Sequence, residues 1–89
     1  MATQPQAPAV PPIEAVLGEV VATLAFAAHA YLSPPGEEQV PDLVAAEVAI
    51  DVAGIAFARV EPRLTPEERS QIAALLTDLR MTYVKKRGL

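Results

Sequence analysis

DLVAAEVAIDVAGIAFARV, residues 42–60, is the stretch on which the fold turns. It holds no proline, a single glycine (Gly54) and apolar side chains at nearly every position. Asp42, directly after Pro41, is placed to cap the first turn of a helix over about 42–60. Between Leu43 and Ala58 the only charged side chains are Glu47 and Asp51, four apart and therefore neighbours on one narrow face. A helix apolar around most of its circumference needs contacts on more than one side. A lone three-helix bundle covers only part of each helix, so this segment predicts a companion chain.

Working outward, Ser33-Pro34-Pro35-Gly36 ends a preceding helix, since neither proline can continue it and the glycine permits the turn. That first helix is expected over about 13–32, with Ile13, Leu17, Val20, Leu24, Ala28 and Tyr31 at the 3–4 spacing of one apolar stripe. Phe26 falls off this stripe, near Ala22, as an exposed ring or a second contact surface. Residues 1–12 carry Pro5, Pro8, Pro11 and Pro12 among Ala and Gln and read as a flexible Pro/Ala-rich tail.

On the other side, a link of Glu61-Pro62-Arg63-Leu64 leads to Thr65-Pro66-Glu67-Glu68, the clearest local signal in the chain. Thr65 is the N-cap, Pro66 takes the first helical position, and Glu68 closes a capping box. The third helix is expected over about 66–87 with Ile72, Leu75, Leu76, Leu79 and Tyr83 inward, and Lys85, Lys86 and Arg87 in its last turn. The expected fold is all-α: a helical hairpin plus a C-terminal helix, one domain over residues 13–87, assembled as a homo-oligomer with a dimer favoured.

Composition supports that expectation. The chain has 89 residues and is 52% hydrophobic, but much of this is Ala, and the large rings are only Phe26, Phe57, Tyr31 and Tyr83. Without Cys there is neither a disulfide nor a thiolate metal site to staple so small a core. Burial against a partner is the remaining ordinary route to stability. Residues 1–58 hold seven acids and no Lys or Arg, whereas residues 59–89 hold seven bases and four acids. The two parts attract each other within or between chains. No oppositely charged pair stands at i,i+3 or i,i+4 within the expected helices, so Glu47 and Asp51 should find a base on another element. Arg80 is the first candidate and Arg59 the second. Gly54, among Ala53, Ala56 and Ala58, suggests close helix–helix approach.

A cytoplasmic setting is expected from the lack of Cys and of a basic segment ahead of the apolar stretch. Residues 15–32 have about the length of a short membrane span, yet Glu19 and His29 within it argue against insertion.

Taken together, the apolar first helix, the Pro/Gly loop into Asp42-Leu43, then Ala46, Ile50-Asp51, Leu64-Thr65, Glu67-Glu68, Leu79-Arg80 and Tyr83-Val84 resemble a small bacterial domain of unknown function, number 1844. The resemblance covers about residues 17–84. It implies a helical fold and supplies no catalytic residues, because that family is uncharacterised. Members usually carry Gly where Ser33 stands, and Lys…Gly-Asn where this chain has Arg59…Pro62-Arg63.

No catalytic constellation emerges. Ser33 lies in a Pro-bracketed turn, Thr65 is occupied as a cap, and Ser70 has no orienting base nearby in sequence. His29 has Ala25, Phe26, Leu32 and Ser33 at the positions where metal ligands would stand. Glu47 and Asp51 offer two carboxylates without the Glu-x-x-His pattern of carboxylate-bridged metal bundles. The four glycines are isolated, so no phosphate-cradling loop is present. No cofactor is expected. The leading reading is a non-enzymatic, self-associating module with a structural or adaptor role, with Phe26, Glu47, Asp51, Phe57, Arg80 and Tyr83 as interface or structural residues. One alternative presents an apolar helical surface to an unidentified protein, a small ligand or a membrane surface. Another is a weak nucleic-acid binder through the basic C-terminus, disfavoured because the whole chain is acidic.

Overall fold

Three helices follow one another in the computed structural model, which describes residues 9–36 and 38–88. They are α1 (Ile13–Leu32), α2 (Leu43–Val60) and α3 (Pro66–Gly88), with a 3-10 turn, Glu61–Arg63, between the last two. The described residues contain no strand, so the class is all-α. Residues 1–8 of the expected tail lie outside the described residues.

Each helix begins and ends for a local chemical reason. Pro12 precedes α1 in an extended conformation, and its carbonyl accepts from the amides of Ala15 and Val16. At the far end the Ser33 amide donates to the His29 carbonyl at 2.9 Å. Gly36, with φ of 106°, makes the left-handed step that a side chain would resist. Asp42 then has two tasks. Its carboxylate accepts from the Ala45 amide at 3.0 Å, capping α2, while its own amide donates to the Tyr31 carbonyl at 2.9 Å. At α3 the Thr65 amide donates to Glu68 Oε1 at 2.9 Å and the Glu68 amide donates to Thr65 Oγ1 at 3.2 Å, a reciprocal cap. α3 runs one residue past the expected 87, with Gly88 its last helical residue.

α1 and α2 form an antiparallel hairpin along a seam of small residues. Ala25 and Ala28 of α1 and Ala46, Ala49 and Ala53 of α2 are all buried there. Side chains no larger than a methyl let two helix backbones approach closely. Leu32 and Ile50 complete the cluster, and α3 lays Leu79 against it. Leu76 closes a second cluster with Val21 and Ala53. No polar or charged side chain is buried among the described residues.

The buried line of α1 is rotated from the expected stripe, sharing Ala28 with it and leaving Leu17 and Leu24 half-buried. Val21, Ala25, Ala28 and Leu32 face the core, whereas Ile13, Val20 and Tyr31 stay between 38% and 47% exposed. The alanine seam explains the shift: the narrow strip turns inward, and the bulkier stripe is left on the flank. Leu75, expected on the inner face of α3, is likewise exposed, because Leu76 and Leu79 occupy the contact.

Leu76 is 1% exposed, so Leu76→Ala is expected to cost about 2–5 kcal/mol of stability in urea denaturation. Phe26, 78% exposed, should tolerate alanine within about 0.5 kcal/mol at the same protein concentration.

Candidate functional site

Two surfaces of the hairpin differ in chemistry. On the side facing α3, Glu47 and Asp51 of α2 line a shallow cleft with Ile50, Arg80, Tyr83 and Val84. The Tyr83 hydroxyl donates to Glu47 Oε2 at 2.6 Å. That hydrogen bond to a carboxylate, with partial burial and the Glu47 charge behind it, raises the Tyr83 phenol above its ordinary value. Arg87 opposes the shift weakly, its guanidinium carbon 5.7 Å from the ring centroid.

Arg80 has a different place from the one expected. The salt bridge formed among the described residues joins Arg63 Nε to Glu14 Oε2 at 2.9 Å, and no such bridge links Arg80 or Arg59 to Glu47 or Asp51. Instead the Arg80 guanidinium lies across Gly54, where an added methyl would stand 2.6 Å from Nη2. Gly54 therefore marks the passage of an arginine side chain rather than the close backbone approach expected of it. Arg63–Glu14 holds the Glu14 carboxyl below the ordinary glutamate range through its hydrogen bond first and its charge as well. The partners are 49 residues apart, beyond the reach of any local spacing rule.

The other expected positions are mixed in their surroundings. Phe57 is half-buried against Val21, Ala53 and Leu76, inside the chain's own core. Phe26 and His29 both point to solvent. Thr65 and Glu68 cap α3. Among the described residues no group of three His, Asp or Glu side chains stands close enough to hold a metal ion.

On the side of the hairpin away from the cleft, three hollows lie along the groove between α1 and α2. Val20 and Val52 border the first two, and Leu24 borders the second and third. The first hollow includes Ile13, Ile55 and Arg59, the second Glu19, and the third Tyr31 and Val48. Apart from Glu19, Thr23, Tyr31 and Arg59 the walls are apolar, formed by residues 13, 16, 17, 20, 24 and 27 of α1 and 45, 48, 49, 52, 55 and 56 of α2. Within this lining, 13, 17, 20, 24, 27 and 31 on α1 and 45, 48, 52, 55 and 59 on α2 follow steps of three and four. This two-helix groove is the site that sequence reasoning missed as a unit. The signal was present in the α1 stripe through Ile13, Leu17, Val20, Leu24 and Tyr31. A smaller apolar surface lies on α3, where Thr77, Met81 and Val84 sit between Arg80 and Lys85.

Residues 16–85 match the family model described as Domain of unknown function (DUF1844). No curated protein and no solved structure matches the chain. Within the matched range the Ser33 amide closes α1 on the His29 carbonyl, and Arg63 bonds to Glu14, which lies just outside it.

Two outcomes are expected at the cleft. A raised phenol pKa means that folding favours the neutral hydroxyl, so its contribution is complete below the ordinary tyrosine range and fades as pH climbs through the raised value. The melting-temperature advantage of the wild type over Tyr83→Phe should be flat from neutral pH to about pH 9 and shrink above about pH 10. Gly54→Ala meets only the far end of a flexible side chain, so it should raise stability by up to about 1 kcal/mol through helix propensity. Net destabilisation in urea would show that Arg80 cannot move aside.

Proposed function

The chain belongs to the DUF1844 family, defined without an assigned activity, and we propose that it is a non-enzymatic, self-associating helical module, a homodimer with a structural or adaptor role in the cytoplasm. One observation carries this reading. Val44, Val48, Val52 and Ile55 of α2 are 76%, 58%, 43% and 64% exposed in the single chain, a continuous row of β-branched side chains in water. Exposed rows of this kind mark contact surfaces.

The magnitudes are comparable. Together with Ile13, Val16, Val20 and Tyr31, the exposed fractions amount to about four whole side chains, worth roughly 8 kcal/mol per chain if buried completely. Two chains would then gain up to about 16 kcal/mol, the same order as the roughly 4–15 kcal/mol lost in translational and rotational freedom, before side-chain ordering is counted. The non-enzymatic part of the proposal draws on the polar groups. Apart from Thr82 Oγ1 donating to the Asp78 carbonyl within α3, the side-chain hydrogen bonds of the described residues are caps and ties between elements, and no described polar or charged side chain is fully buried. α1 is long and apolar enough to cross a membrane by length and composition. Burial in a soluble dimer accounts for the same apolarity without placing Glu19 in lipid.

A second reading has its own observation. Met81 and Val84 of α3 lie exposed between Arg80 and Lys85, a surface suited to a different protein partner.

Light scattering at low micromolar concentration should report about twice the 9.4 kDa chain mass. A single-chain mass for well-folded protein would end the self-association reading.

A further inference from the structure

We infer that the second copy enters the open groove between α1 and α2, so that two hairpins close into a four-helix bundle with both α3 helices on its outside. The inference rests on the self-association proposed above and specifies its face.

Spacing is the first argument. Steps of three and four on both walls are the pattern by which one helical pair receives the side chains of another. Val20, Val52 and Leu24 stand as ridges between successive hollows, and a copy of the same surface offers matching ridges at the same interval. Most of the exposed apolar surface set against the cost of association lines this groove.

Charge supplies the second argument. A two-fold interface brings each patch onto its own copy. Glu47 and Asp51, the acids within α2, lie on the α3 side, and the groove carries only Glu19 and Arg59, of opposite sign. The α3 surface would instead set Arg80 and Lys85, with Lys86 and Arg87 close by in sequence, against their own equivalents, which repel. Phe26 offers a single ring with the small Ala22 and Ala30 one turn away on each side, too little surface for a stable contact. Exchange of α3 between copies is disfavoured as well. Leu76 and Leu79 seat in their own hairpin, and the connection is a tight 3-10 turn followed by the buried Leu64.

The test uses the full chain. Equal amounts of isotope-labelled and unlabelled protein are mixed, and cross-chain nuclear Overhauser contacts are collected alongside light scattering. Cross-chain contacts from the methyls of Val48, Val52 and Ile55 are expected. Val52→Glu should weaken dimerisation at least about a hundredfold, since it places an unpaired carboxylate in each half of the seam. Val84→Glu should change it by less than about threefold, as an exposed substitution outside the interface. A dimer whose cross-chain contacts come from Met81, Val84 or Phe26 overturns the groove while leaving self-association standing. A single-chain mass removes both.

Discussion

The alanine seam between α1 and α2 governs the rest of the molecule. Because Ala25, Ala28, Ala46, Ala49 and Ala53 take up so little space, the two helices touch along a narrow strip, and the larger side chains of both are pushed to its flanks. One flank is covered by α3 through Leu76 and Leu79. The other is the groove. A hairpin joined through leucines would have buried a broader band of each helix and left less to cover. The same economy that makes the hairpin slender therefore leaves apolar surface uncovered in a single chain.

Polar contacts then fix the geometry that the seam permits. The Asp42 amide on the Tyr31 carbonyl closes one end of the hairpin, and Arg63 on Glu14 ties the other. Tyr83 on Glu47 sets the angle of α3 toward its C-terminus. All three ties sit at exposed or half-buried positions, where each contributes modestly to stability and more to register. Their common effect is a groove already shaped before anything enters it, which lowers the ordering cost of filling it.

The local features of the fold were open to a reading of the sequence, and its lateral arrangement was not. Pro34, Pro35 and Gly36 interrupt any helix, and Thr65 with Glu68 supplies matched donors and acceptors, so these signals act on their own neighbours and need no tertiary context. The rotation of α1 is a different matter. Two overlapping stripes, one led by Leu17, Val20 and Leu24 and the other by Val21, Ala25 and Ala28, satisfy the same periodicity. The larger side chains make the first look like core. What decides between them is how closely α2 approaches, a property of both helices at once. Arg80 illustrates the same limit at the site. Its charge suggested a carboxylate partner, while the absence of a side chain at Gly54, 26 residues earlier, opened a path across the helix instead. Arg63 and Glu14, separated by most of the chain, gave no local hint of each other.

These features constrain function through the way polar and apolar groups are divided. Asp42, Thr65 and Glu68 cap helices, while Glu14, Arg63, Glu47 and Tyr83 link them. These seven side chains serve the architecture. The apolar groups are divided the other way, with alanines and a few leucines sufficient for the inside and many β-branched residues left outside. A valine exposed by chance is ordinary; Val52 and Ile55 beside Ile13, Val16 and Val20, with Val48 beside Tyr31 farther along the same groove, are not scattered singly but form one surface. The chemistry such a surface offers is the exclusion of water between matched shapes, and it is on this chemistry that the proposed pairing with a second copy rests.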